Sequence, residues 1–152
     1  MYLQRNDVRD SIEKAVKEQN ISRKNFHESS KLEYENIRRK FYYSFFDYER
    51  GKDIDLTNLD YMYLRLHKRL KKSPIIYEHD WEKYIDNIAE LSSTNAKHYL
   101  ILSHGWVYEG YIAEIISVLK NTEKIEDFYV VSKKFDWLIV HADDADCMFK
   151  CE

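Results

Sequence analysis

Hydrophobic positions along this chain recur with two periods, and the change from one to the other divides it. Over the first ninety-five residues the period is helical. Val8, Ile12, Ala15 and Val16 form one stripe, predicting a helix that starts near Asn6 or Asp7, either of which can cap it, and leaves near Asn20. Ser22 offers a cap for a second, longer helix. On it Phe26, Tyr34, Ile37, Phe41, Phe45 and Tyr48 keep the period up to Gly51. From Phe41 onward this helix is apolar nearly all round, so its end is expected to be enclosed. A stacking platform for bases is the sharper account of those aromatics, but the period alone explains them. Thr57 with Asp60 resembles a capping box. Leu59, Met62, Tyr63, Leu66 and Leu70 then give a third helix a buried face, until Pro74 ends it. Asp80 can cap a fourth helix carrying Trp81, Tyr84, Ile85, Ile88 and Leu91.

Beyond the polar linker Ser92 to Ala96 the pattern shortens. Tyr99 to Leu102 is apolar on both alternating faces, as in a strand covered on two sides. The stretch HGWVYEG, His104 to Gly110, reads as turn-like. Ile112, Ile115, Ile116 and Leu119 return to helical spacing over Tyr111 to Lys120. Three β-type runs follow. Phe128 to Val131 and Phe135 to His141 form a plausible hairpin, with Phe135, Trp137, Ile139 and His141 on one face. After the turn ADDAD, Cys147, Phe149 and Cys151 share a face of a last strand. The expected fold is α+β in the order ααααβαβββ, with N-terminal helices packed against a small, mostly antiparallel sheet. Residues 1–152 are expected to form a single domain, helical over 1–95 and mixed over 96–152, because the aromatic helix needs a partner and the sheet needs a cover.

Composition narrows the class. Thirteen Tyr, three Gly and one Pro argue for a compact body rather than disorder. The net charge of -3 is too small to imply nucleic acid or membrane by itself. Its distribution is more informative: residues 121–152 carry 4 basic and 8 acidic side chains, against 20 and 19 in the remainder. The chain opens with no secretory segment and contains no membrane-length apolar run, so a cytoplasmic protein is expected. Cys147 and Cys151, at i and i+4 on a strand, stand roughly 13 Å apart, too far for a disulfide. They are expected to be reduced thiols.

Three constellations could carry chemistry. His104 and His141, with Asp143, Asp144 and Asp146, could build a metal-dependent hydrolase site if the two histidines converged. No HExxH or CxxC is present, however, and HADDAD lacks the glycine and distal Glu of a calcium loop. The basic side of the helix over 59–72 (Arg65, Lys68, Arg69, Lys71, Lys72) could contact nucleic acid in a regulator. Cations at a helix C-terminal end that favour its dipole are the plainer account. No GxSxG, phosphate loop or dinucleotide fingerprint occurs. The third constellation is an interaction surface. Trp106, Tyr108 and Tyr111 lie near the acidic turns if the strand ends cluster. Glu123, Glu126 and Asp127, then Asp143, Asp144 and Asp146, would surround aromatic anchors with carboxylates, which suits a basic protein partner.

HGWVYEG together with FYVVSKKFDWLIVHADDADCMF, within residues 104–149, resembles the C-terminal pattern of small bacterial toxin-immunity proteins. The resemblance covers about the last third of the chain. It implies a single α+β domain that neutralises one cognate toxin by stoichiometric binding, without turnover and without a cofactor. The residues expected to meet that toxin are Trp106, Tyr108, Glu126, Asp127, Asp143, Asp144 and Asp146. No catalytic residue, resident metal or membrane partner is expected, and the toxin surface is expected to be basic.

Overall fold

A computed structural model describes residues 5–46, 71–72, 96–102, 105–122, 125, 127–141 and 146–150. Within them the chain is α+β. Helix α1 (Arg5–Glu18) precedes strand β1 (Phe26–Glu28) and helix α2 (Lys31–Phe45). Strand β2 (Lys71–Lys72) is followed by β3 (Lys97–Leu102), β4 (Val107–Tyr111) and helix α3 (Ile112–Asn121). Strands β5 (Phe128–Val131), β6 (Trp137–His141) and β7 (Asp146–Lys150) complete the order. All seven strands join one sheet, β1-β4-β3-β5-β6-β7-β2, and every pairing is antiparallel. The five central strands form its body; β1 and β2, of three and two residues, border it.

The sheet is covered on both faces, because alternate side chains of its central strands enter separate apolar clusters. Val8, Ile12 and Val16 of α1 and Ile115, Val118 and Leu119 of α3 pack on Leu100, Leu102, Tyr108, Phe128, Val130, Trp137 and Ile139. On the opposite face Tyr34, Ile37, Phe41, Tyr42 and Phe45 of α2 pack on Ile101, Val107, Tyr129, Val131, Leu138 and Val140. This explains why Leu100, Ile101 and Leu102 are all buried: a strand covered on both sides has no polar alternation.

Several expected elements are present. Helix α1 ends where Asn20 adopts φ 53°. Asn20 N donates to the Lys17 carbonyl at 3.2 Å and Ile21 N to that of Val16 at 3.0 Å, so the last turn closes in a Schellman arrangement. Helix α3 carries the Ile112, Ile115 and Leu119 stripe inward, and β5, β6 and β7 form the expected meander. Trp137, Ile139 and His141 do share a face, His141 stacking on Phe128 at 4.8 Å. Phe135 does not join them. It sits in the turn before β6 with φ 55° and packs against Tyr99 at 5.7 Å, with the other cluster.

The order ααααβαβββ is corrected by three strands, β1, β2 and β4, and by a shorter helix. Residues 22–30, expected to open the second helix, instead form a turn and β1. The true N-cap is Ser30: its Oγ accepts from Glu33 N at 3.3 Å and donates to the Glu33 carboxylate at 3.0 Å. Ser30-Lys31-Leu32-Glu33 has the capping-box sequence, and its two bonds fix the helix start more strongly than Ser22 can. Phe26, expected as the first rung of that helix, lies on β1 and stacks on Tyr108 at 5.1 Å. The second correction is β4, over residues expected to be turn-like. Val107, Tyr108 and Tyr111 supply strand-forming side chains. Gly110 answers a need of packing rather than of turning: a Cβ there would lie 2.8 Å from the Asn25 carbonyl oxygen and 2.8 Å from Phe26 Cδ2. The two further helices expected between Thr57 and Leu91 fall outside the described residues, except that Lys71 and Lys72 stand in β2, paired with β7, and not at a helix end.

Candidate functional site: the β3–β4 end of the sheet

The antiparallel ladders bring one end of five strands into a row. Leu102, the last residue of β3, pairs with Phe128 at the start of β5; Phe128 pairs with His141 at the end of β6; His141 pairs with Asp146 at the start of β7. On the other side Leu102 N donates to the Trp106 carbonyl at 3.0 Å across the β3–β4 turn. Trp106, Leu102, Phe128, His141 and Asp146 thus mark successive strands, and at ~4.8 Å per strand the row is about 19 Å long. Asp127 immediately precedes Phe128, the first residue of β5, and residues 142–145 lie in sequence between His141 and Asp146. The backbone brings Trp106, Asp127 and Asp146 to the same end of the sheet. Glu126, Asp143 and Asp144 lie outside the described residues.

Two aromatic assignments change. Tyr108 is fully buried, and its ring stacks on Phe26 with an interplanar angle of 11°. It is a core side chain and not a surface anchor. Burial, with Glu28 and Glu13 nearby, pushes its phenol well above the usual tyrosine range. Tyr111 lies at the opposite end of β4, paired with Lys97, whose ammonium is 5.6 Å from the Tyr111 ring centre. Turns from the two ends of one strand cannot gather on one surface, so Tyr111 leaves the site.

Trp106 remains, half-buried and closely framed. The Arg9 guanidinium of α1 lies 5.7 Å over its ring, and Tyr34 of α2 meets it edge-on at 5.9 Å and 66°. Arg9 Nε donates to Glu28 Oε2 at 2.9 Å, while the Tyr34 hydroxyl donates to Glu28 Oε1. Burial and the Glu28 carboxylate push the Tyr34 phenol far above its ordinary value. Arg38 of α2 is buried; it donates to the carbonyls of Gly105 and Tyr34, each at 3.3 Å, and lies 5.4 Å over the Tyr34 ring. Gly105, with φ 88°, gives the turn its left-handed residue. Sequence reasoning singles out Trp106 but misses Arg9, Glu28, Tyr34 and Arg38. Tyr34 reads only as part of a helical stripe, and nothing in the spacing of the others signals convergence from α1, β1 and α2.

A second polar cluster occupies the other end of the sheet. Glu109 on β4 is 9% exposed, and Lys133 from the β5–β6 turn contacts its Oε1. His27 Nε2 stands 3.8 Å from Glu109 Oε2, and the Lys133 ammonium lies 5.7 Å from the Tyr99 ring centre. This arrangement joins the turn to β3, β4 and β1.

The hydrolase and regulator alternatives draw mostly on residues outside the described ones. Among the described residues no group of three or more His, Cys, Asp or Glu could hold a metal ion. His104 lies outside them, and His141 stacks on Phe128. Of the basic segment over 59–72, only Lys71 and Lys72 are described, as a strand. Cys147 is the second residue of β7, paired with Val140, and Cys151 lies outside the described residues. No described helix is long and apolar enough to cross a membrane.

A mixed helix–sheet–helix protein with one aromatic and charged sheet end is the class that this architecture defines. The chain belongs to the family of unknown function DUF6756, whose model matches residues 4–152. No curated protein and no solved structure matches it.

Proposed function

We propose that this protein works by stoichiometric binding of another protein, as an immunity or antitoxin-type partner of a bacterial toxin, in the cytoplasm and without turnover. The observation that supports the reading is the row of strand ends from Trp106 to Asp146, with Asp127 beside it, at one end of the sheet. Carboxylates at a rim speed encounter with a basic surface, and a framed Trp supplies the short-range anchor. The likeness of residues 104–149 to toxin-immunity proteins supports the same reading.

The test is coexpression with the domain encoded by the neighbouring reading frame. Rescue of growth, and elution of the two chains as a 1:1 complex, are the expected results. A neighbouring domain that stays toxic and elutes separately, or a neighbourhood encoding no toxic domain, counts against the proposal.

A further inference from the structure

We infer that the α2-side face of the sheet, at the end opposite Trp106, is a platform for single-stranded nucleic acid. Tyr99 and Tyr111 stack bases there, and Lys97, Lys133 and Lys134 meet phosphates. The inference is independent of the docking role proposed above, whose residues lie at the other end. Residues two apart on a strand share a face. Ile101, in the cluster beneath α2, is therefore in line with Tyr99 and Lys97 on β3, and Val107 with Glu109 and Tyr111 on β4. Tyr99 pairs with Glu109 and Lys97 with Tyr111, so the two tyrosines stand on a diagonal of adjacent strands. Both are half-buried, as is Phe135, whose ring lies 5.7 Å from that of Tyr99. Phe135 has φ 55°, a region that a bulky residue rarely adopts, and so brings a third ring to the platform from the β5–β6 turn.

Cations border these rings. The Lys97 ammonium lies 5.6 Å from the Tyr111 ring centre and that of Lys133 5.7 Å from the Tyr99 ring centre. Lys133 and Lys134 are exposed. The two neighbouring carboxylates are already engaged, Glu109 by Lys133 and Asp136 by the Ser132 hydroxyl. Among the described residues neither Lys97 nor Lys134 makes an ion pair. Farther along the same end Lys150 of β7 pairs with Trp137, and Lys71 of β2 pairs with Lys150, so the backbone continues the run of basic residues across the sheet. Lysines alone would only solvate a sheet end. Lysines interleaved with partly accessible rings supply both elements that a single strand uses, charge along its backbone and faces for its bases. A duplex keeps its base faces inside its own stack, and an acidic peptide has none to offer. RNA and DNA strands share the chemistry that this platform reads.

The experiment follows the anisotropy of labelled RNA and DNA single strands, about 16 nucleotides long, and of the duplex of the same sequence, as the full chain is added at several salt concentrations. Both single strands should bind about tenfold more tightly than the duplex, and more weakly as salt rises. Lys134→Ala should weaken binding and reduce the log–log salt slope by about 0.7. Tyr111→Leu should bind about tenfold more weakly with the slope unchanged, because it removes stacking and no charge. Failure of both single strands to bind at low salt overturns the inference. So does a duplex bound as tightly as either strand, or a Lys134→Ala variant with the parental affinity and slope. Should Tyr111→Leu fail to fold, the duplex comparison and Lys134→Ala, at an exposed side chain, still decide. Oligomers of the parent that Lys134→Ala dissolves would make a second copy the occupant and overturn the inference as well.

Discussion

Lys133 reaches from the β5–β6 turn across β3 to contact the Glu109 carboxylate on β4, passing over the ring of Tyr99. Tyr99 and Glu109 are direct partners in the β3–β4 ladder, so the ammonium lies between an aromatic face and a carboxylate whose side chain is only 12% exposed. Removing the cation leaves that carboxylate enclosed with His27 as its neighbour. Lys133→Ala should therefore cost ~1–2 kcal/mol, and the double variant Lys133→Ala/Glu109→Gln less than the two single effects combined. Additive costs in a denaturation cycle would show that the contact contributes nothing.

Gly110 tests the approach of β1 to the sheet. The Asn25 backbone and the Phe26 ring each lie 2.8 Å from where an added methyl group would stand, so neither β1 nor its neighbour has room to give. Gly110→Ala should destabilise by about 1–3 kcal/mol. An unchanged melting midpoint would place β1 elsewhere.

Trp137 is 7% exposed in the cluster beneath α1 and α3, with His98 at 5.4 Å. Truncating a buried aromatic of this kind costs ~3–5 kcal/mol, so Trp137→Ala should lower the denaturant midpoint sharply. A midpoint equal to the parent's would contradict the β5–β6 register.

His98 predicts a pH dependence. It is buried, and burial lowers its pKa below the ordinary 6.5; the nearby Lys133 acts in the same direction, against a backbone hydrogen bond to Ala96. Because the native value is lowered, the unfolded chain binds more protons on the acid side. The stability contributed by neutral His98 is full above pH 6.5 and falls as the pH drops from there to the lowered native value. Comparing urea midpoints of the parent and His98→Asn between pH 5 and 8 should show a steeper acid-side loss in the parent. Equal slopes would mean that His98 charges without cost.

The hydrophobic pattern reveals those elements whose period is unambiguous. Ile112, Ile115 and Leu119 keep helical spacing, and Trp137 to His141 is a short run of aromatic, aliphatic and β-branched residues that follows a turn, so α3 and the meander are legible. Strand β1 is not, because three residues are too few to show a period and Phe26 falls in helical step with Tyr34. The Ser30–Glu33 capping box is the signal that could have separated them. Strand β4 is obscured by Gly105 and Gly110, only one of which serves a turn; the other makes room for β1. At the candidate site, Trp106 and the acidic connections can be read because they cluster in the last third. Arg9, Glu28 and Arg38 cannot, since their meeting is a product of how α1, β1 and α2 pack around one sheet edge.

The central claim is that the sheet end marked by Trp106, Asp127 and Asp146 holds a basic protein partner. Its most direct measurement is the association rate of the folded triple variant Asp143→Asn, Asp144→Asn, Asp146→Asn with the domain from the neighbouring reading frame, across salt concentrations. Rim charges act through encounter, and salt screens them over about 10 Å at 0.1 M. The triple variant should associate several-fold more slowly than the parent at low salt, with the gap closing as salt rises. Association at the parental rate in low salt would contradict the claim and move the interface away from this end of the sheet.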